Sequence, residues 1–179
     1  MNKLTTAQHQ EVIVSGTDIF AVLTEDHRRI QGLFERFEQT NDPDVAFAIC
    51  DELIVHAMAE EELVYGVLAT KVNPGRARDA RRENVEAKEL ITQIESAVAQ
   101  GSDVAAPVAQ LRQTVQHHVE EQESEIFPEM REKVPSVVGE MGADYVERKK
   151  AIAAQVQEAR NVGYSTSTIA HAPPSAGEH

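Results

Sequence analysis

Residues 49–67, ICDELIVHAMAEEELVYGV, decide the fold predicted for this chain. Apolar residues recur in this stretch at steps of three and four, which places them on one face of a helix. His56 and Glu60 share that face with Ile49 and Leu53. A face that should be wholly apolar therefore carries an imidazole and a carboxylate four residues apart, and both point the same way.

The same helical periodicity runs through most of the remaining chain, and no stretch alternates convincingly with a period of two. A first helix is predicted from Thr17 or Asp18, because either side chain can cap its start. The fourth helix is predicted to end near Pro128. A fifth amphipathic helix is predicted over about 137–160, after Pro135.

Short breaker sequences separate the four main helices. Residues 41–44 (NDPD) predict a turn followed by a helix start with proline in the first turn. Residues 73–75 (NPG) and 101–103 (GSD) predict the next two turns. Helices of similar length joined by short loops indicate an all-α fold: an antiparallel up-down four-helix bundle with an additional C-terminal helix.

A single domain is expected, because 179 residues suffice for one domain and are too few for two ordinary ones. The bundle is expected to occupy residues 17–160. Residues 1–16 are expected to form an N-terminal extension. Residues 161–179 are expected to form a disordered C-terminal tail, because Ser, Thr, Ala, Pro and Gly dominate there.

Composition excludes several classes of protein. Thirty acidic residues against 17 Lys and Arg give a formal charge of −13, which argues against a nucleic-acid partner. Cys50 is the sole cysteine, which excludes a disulfide framework and a cysteine-based zinc site. No apolar run approaches the roughly 20 residues that span a bilayer. The chain is therefore expected to be soluble and cytoplasmic, with no membrane partner.

Residues at equal distances from a loop lie at the same height in an antiparallel hairpin, so the register can be tested by arithmetic. The midpoint of His27 and His56 is position 41.5, inside the first turn. The midpoint of Glu60 and Asn84 is position 72, beside the second turn, and that of Asn84 and His118 is position 101, in the third. The inward polar residues of all four helices are therefore predicted to lie in one layer.

A buried carboxylate needs a positive partner, and no Lys or Arg is expected on the inner faces at this height. A metal cation meets that need, and imidazole together with carboxylate suits iron, zinc or manganese. Gln122 shares the inner face of the fourth helix, and the neighbouring Glu123 could reach the axis with its carboxylate. The alternative is a hydrogen-bonded polar network without a metal.

Segments of three helices resemble motifs of the hemerythrin-like, or HHE cation-binding, family, and the resemblance covers about residues 17–155. These segments are EDHRRI (25–30), HAMAEEE (56–62) with Tyr65, and HHVEEQE (117–123) followed by IFP (126–128).

Members of this family hold a non-heme di-iron centre inside the bundle. The resemblance implies a ligand set of His27, His56, Glu60, His118 and Glu123, with the two glutamates bridging the ions. It implies iron as the cofactor, in two ions, with a single metal as the alternative.

Two positions depart from the family pattern. The third helix of the family usually offers a histidine, and here the equivalent pair is Glu83-Asn84. The fourth helix commonly has two adjacent glutamates, and here Gln122 replaces the first. Asn84, Gln122 and Tyr65 are expected to be weak ligands or hydrogen-bond partners near the site. An unusual di-iron site, a single metal and a metal-free fold all remain open.

The resemblance implies a protein that binds dioxygen, or one that reacts with peroxide or nitric oxide under oxidative stress. Both chemistries use the same ligands, so the residues do not decide whether the protein is an enzyme, an oxygen store or a sensor. The alternative is a degenerate hemerythrin-fold bundle without a full metal site, acting as a regulatory or protein-interaction module.

Overall fold

The computed structural model describes residues 18–166 and residue 169. The predicted N-terminal extension lies outside these residues, as do Thr17 and most of the predicted tail. The described part is helical, with no strand within it. The elements are α1 (Ile19–Thr40), α2 (Pro43–Leu63), α3 (Tyr65–Val67), a π-helical segment (Leu68–Val72), α4 (Pro74–Ala99), α5 (Ala105–Glu121), a second π-helical segment (Gln122–Ile126), α6 (Phe127–Lys133) and α7 (Pro135–Asn161).

Local side-chain chemistry sets the first two helix starts. The Asp18 carboxylate accepts the backbone N–H of Phe20 at 3.0 Å and caps α1. Asn41, with φ of 48°, closes α1 in the left-handed region. Asp42 then caps α2, and Pro43 occupies the first turn, where a missing N–H costs little. The predicted cap at Asp18 and the predicted first turn are confirmed.

The other two predicted turns are also present. The Asn73 side chain accepts the backbone N–H of Arg76 at 3.2 Å and caps α4, with Pro74 in the first turn. Gly101 follows α4 with φ of 66°, a conformation in which an L side chain would be strained. α4 and α5 therefore begin close to their predicted positions.

The helices form a bundle in which α1, α2, α4 and α5 surround the core, and α7 packs along α1 and α2. Ion pairs across the turns join residues at similar distances from each turn, as antiparallel neighbours do. Arg29 of α1 pairs with Glu52 of α2 at 2.7 Å, and Lys88 of α4 pairs with Glu61 of α2 at 2.8 Å. α7 is the predicted fifth helix, with bounds slightly wider than expected.

The second and fourth predicted helices are interrupted rather than continuous. α2 ends at Leu63, and the chain reaches the second turn through α3 and Leu68–Val72. After α5, Gln122–Ile126 forms a wider turn before α6 begins at Phe127. The prediction that a helix ends near Pro128 is wrong, because Pro128 lies in the first turn of α6, where proline is tolerated.

The core between the helices is mainly aliphatic and includes several buried aromatic side chains. Ile49, Ile54, Ile94 and Leu111 are fully buried. Burying one such side chain contributes about 1.5–3 kcal/mol. This packing holds the helix faces in fixed register and so positions the polar layer. None of the described helices combines the length and apolar character that crossing a membrane requires.

Candidate metal centre

Three histidines and one glutamate from α1, α2 and α5 meet inside the bundle. His27 is 5% exposed, His56 4%, His118 7%, and Glu60 is fully buried. Each sits on a helix face whose neighbours are apolar, which explains why the polar groups are carried inward. The register arithmetic predicted this layer.

The Glu60 carboxylate is the centre of the group. Its Oε2 atom lies 3.4 Å from His56 Nε2 and 3.6 Å from His118 Nε2, and it accepts a hydrogen bond from the Tyr65 hydroxyl at 2.9 Å. His27, His56 and Glu60 each offer one ligand atom, and these atoms lie within 4.8 Å of one another. A single small cation could therefore be held between them.

The outer nitrogens of two of these rings contact carboxylates. His27 Nδ1 lies 2.7 Å from Glu123 Oε1, and His118 Nδ1 lies 2.8 Å from Glu83 Oε2. An ionised carboxylate only accepts hydrogen bonds, so each Nδ1 carries the proton. In a neutral ring Nε2 then holds the lone pair that faces the centre, which is how protein carboxylates orient metal-binding histidines.

Asp26 lies behind the ring of His56 and was not predicted as part of the site. Its Oδ2 is 3.7 Å from His56 Nδ1 and accepts from the Tyr145 hydroxyl at 3.4 Å. Its Oδ1 accepts from Arg29 at 2.9 Å and from Lys149. Burial opposes ionisation of Asp26, but His56 and Lys149 outweigh it and hold its pKa well below the usual range.

Three polar atoms of the described site are buried without a hydrogen-bond partner: His27 Nε2, His56 Nδ1 and Gln122 Oε1. Leaving one such atom unsatisfied costs about 1–3 kcal/mol. His27 Nε2 carries a lone pair directed at the group that includes His56 and Glu60, so a cation there would satisfy it. The donor set therefore fits a metal ion.

The pKa values of the buried site residues depend on both burial and the neighbouring polar groups. Burial raises the pKa of Glu60, but the charges and hydrogen bonds of His56 and His118 prevail and bring it to about 2. Burial and the neighbouring His56 lower the pKa of His27 to about 4. Burial also disfavours charged His118, but hydrogen bonds with Glu60 and Glu83 outweigh it and raise the pKa to about 9.

The remaining predicted residues take different places. Gln122 donates from Nε2 to Glu60 Oε1 at 2.6 Å, and Tyr65 hydrogen-bonds Oε2 of the same carboxylate. Asn84 donates to Glu61 at 3.4 Å. Glu123, proposed as a bridging ligand, contacts the outer nitrogen of His27, and its side chain is 39% exposed.

Glu83 takes part in the site, although the sequence pointed to its neighbour Asn84 as the residue near the ligands. It is 8% exposed and lies on the same buried edge of α4 as Asn84. Its second oxygen lies 3.5 Å from His117, whose side chain is 72% exposed.

A small cavity adjoins the layer. Its volume is about 20 Å³, which is room for a molecule of roughly the size of water. His27, His56 and His118 line it on one side, with Glu83, Asn84, Lys88 and Thr114 and a larger apolar surface completing the lining. The apolar residues are Ile30, Leu53, Ala57, Ala87, Ile91, Val115 and Val119.

The stability of the metal-free protein is expected to depend on pH through His118. Its pKa is raised from about 6.5 to about 9, so its stabilising effect is complete below pH 6.5 and is lost as the pH rises through 9. In chelator, urea unfolding should give a free energy of unfolding that falls by roughly 1–3 kcal/mol more between pH 6 and pH 10 in the wild type than in His118→Gln.

The matched control for this prediction is His117→Gln, because His117 is the adjacent and exposed histidine. It should keep the wild-type pH dependence. An identical pH dependence in His118→Gln and the wild type would contradict the stabilising pairing of His118 with Glu60 and Glu83.

The sequence is similar to one protein family and to a curated protein. The family model of the hemerythrin HHE cation-binding domain matches residues 18–130, well over half of the chain. A curated protein from Nostoc sp. named DNA nickase is 28% identical over 141 residues, covering 76% of this chain and 39% of that protein. The chain thus spans about two-fifths of the length of that relative. No solved structure gives a significant match.

Proposed function

The chain belongs to the hemerythrin HHE cation-binding family, and from this premise we propose that it is a non-heme iron protein that acts on dioxygen, peroxide or nitric oxide. The observation that carries the proposal is the convergence of three buried imidazoles on the fully buried carboxylate of Glu60. Imidazole with carboxylate is a donor set that suits iron.

Four residues would hold the iron: His27, His56, Glu60 and His118. When bound, iron supplies the electron-transfer chemistry that these small oxidants require. The chain contributes the orientation of the ligands, since a carboxylate lies beside the outer nitrogen of each ring. Glu123 contacts His27, and Glu83 contacts His118. Asp26 lies 3.7 Å from His56 Nδ1.

The surroundings support a small, uncharged substrate. The cavity beside the rings is about 20 Å³ and mostly apolar, so it excludes larger molecules and bulk water. The Tyr65 hydroxyl donates to Glu60, and burial together with the Glu60 charge raises the pKa of Tyr65 well above its usual value. Tyr65 therefore keeps its proton and can act as a fixed hydrogen-bond donor at the edge of the site.

A groove between α1 and α5 supports an entry route to this cavity. His27, Val115 and Val119 line both the cavity and the groove. Gln31 and Arg112 belong to the groove alone and bring polar groups to it. Dioxygen, peroxide and nitric oxide are all small enough to pass between such side chains.

Purification from iron-rich, aerobic cultures tests the proposal. We expect bound iron by elemental analysis and a ferric absorption band that changes when peroxide or nitric oxide is added. Full-length protein that is completely folded, yet binds no iron even when Fe²⁺ is added anaerobically, would contradict the proposal.

A second candidate function is favoured by the side chains of α4. Asn84 and Lys88 both donate hydrogen bonds to Glu61. Neither is a strong ligand for iron, because an amide is neutral and an ammonium group has no lone pair. A bundle without a complete metal site could serve as a regulatory or protein-interaction module. The same elemental analysis separates the two candidates, because only the module is fully folded and functional without metal.

The activity in the name of the Nostoc protein is not part of this proposal. That match covers 39% of the relative, and the formal charge of −13 here opposes binding to a polyanion. We therefore propose a small molecule, rather than a nucleic acid or a membrane, as the partner of the site.

A further inference from the structure

We infer that the centre holds one metal ion per chain, instead of the two ions that the family resemblance implies, because Gln122 and Lys88 occupy the places where a second ion would need ligands. This inference rests on the proposed function, since it uses the same ligands. It concerns side chains that distinguish this chain from the family pattern.

The two oxygens of Glu60 have different partners. A carboxylate that bridges two ions through both of its oxygens offers one oxygen to each. Oε2 faces His56 and His118, but Oε1 accepts the amide hydrogen of Gln122 at 2.6 Å. Gln122 is 1% exposed, so breaking this bond would leave its amide donor buried without a solvent partner. Glu60 is therefore arranged as a ligand for one ion through Oε2.

The second candidate bridge is directed elsewhere. Glu123 Oε1 bonds Nδ1 of His27 at 2.7 Å, on the side of the ring opposite Nε2. The Glu123 side chain is also 39% exposed. Its role here is to orient His27, which again leaves a second ion without a bridging carboxylate.

α4 brings the positive charge of Lys88 to the cavity beside the three histidines. Lys88 is 6% exposed, and its Nζ lies 2.8 Å from both carboxylate oxygens of Glu61. Lys88 and Asn84 line the same cavity as the three histidines. A protonated amine has no lone pair and repels a nearby cation. Glu83, the remaining acid on this edge, is bonded to His118.

The available donors therefore number four: those of His27, His56 and Glu60 lie within 4.8 Å of one another, and His118 Nε2 lies 3.6 Å from Glu60 Oε2. Four donors suit one ion that keeps a position open for a small molecule. Divided between two ions, they would leave each with two protein ligands and no shared carboxylate.

Metal counting on the full chain tests this inference. Chelator-treated protein is titrated anaerobically with Co²⁺, and separately with Fe²⁺, and ions per folded chain are counted by native mass spectrometry and elemental analysis. We expect saturation at one ion. Saturation at two would overturn the inference while leaving the proposed function intact. Saturation at zero in folded protein would overturn both.

A variant pair tests the stated cause. Gln122→Glu combined with Asn84→His removes the amide donor from Glu60 and adds a donor on α4, so we expect a rise from one ion to two. The matched control is Gln113→Glu, the same substitution at an exposed position of α5, which should stay at one. A double variant that folds and still binds one ion would contradict the role given to Gln122. If the double variant does not fold, the count on the wild-type chain decides.

Discussion

His56→Ala is expected to lose most of the bound iron, retaining less than about a tenth of the wild-type content per chain after purification. His56 is the imidazole that α2 supplies, and its Nε2 lies 3.4 Å from Glu60 Oε2 at the centre of the site. Disturbing a partner that only orients a ligand typically costs about 10–100-fold in metal affinity. Removing the ligand itself should cost at least as much.

Iron content must be compared in folded protein, because His56 is buried and truncation leaves a small void. Circular dichroism and urea unfolding of the metal-free variant establish that the helices are intact. His117→Ala is the matched control, since this histidine precedes His118 but is 72% exposed. It should keep wild-type iron. Wild-type iron in folded His56→Ala would contradict the proposed centre.

The layer of polar residues was predictable because short turns fix the register of antiparallel helices. The pairs His27 with His56, and Glu60 with His118, meet as the turn positions require. Periodicity alone supplied the inward direction of each residue. These parts of the site follow from spacing and need no knowledge of the side-chain conformations.

The orienting carboxylates were not predictable in the same way. Asp26 and Glu83 each precede a residue on the predicted inner face, so simple periodicity turns them about 100° away from it. In the structure both are buried, because each pairs with a histidine of another helix. Such contacts depend on the rotation of packed helices, which the sequence of one helix does not specify.

The exchange of roles between Gln122 and Glu123 has a related cause. Both belong to the π-helical segment Gln122–Ile126, whose wider turns change the direction of side chains relative to a regular helix. The local sequence does not predict this change of side-chain direction. As a result Gln122 reaches Glu60, and Glu123 reaches the far side of His27.

Asp26→Ala is expected to have the largest effect on stability among the residues of the site. Its carboxylate joins α1 to α7 through Lys149 and Tyr145. Removing it leaves the half-buried amine of Lys149 and the buried hydroxyl of Tyr145 without this acceptor. Loss of one partner from such a buried network costs about 2–4 kcal/mol, which urea unfolding of the metal-free protein would measure.

The same variant should also weaken metal binding, which ties α7 to the centre although α7 lies beyond the residues matched by the family model. Asp26 is the carboxylate nearest to His56 Nδ1, and loss of such a partner typically lowers metal affinity by about 10–100-fold. Glu52→Ala is the matched control, because Glu52 also accepts from Arg29 but lies at the surface. Its effect on stability should stay below about 1 kcal/mol, with metal affinity unchanged. If Asp26→Ala and Glu52→Ala behaved alike in both measurements, α7 would be packing on the bundle without supporting the site.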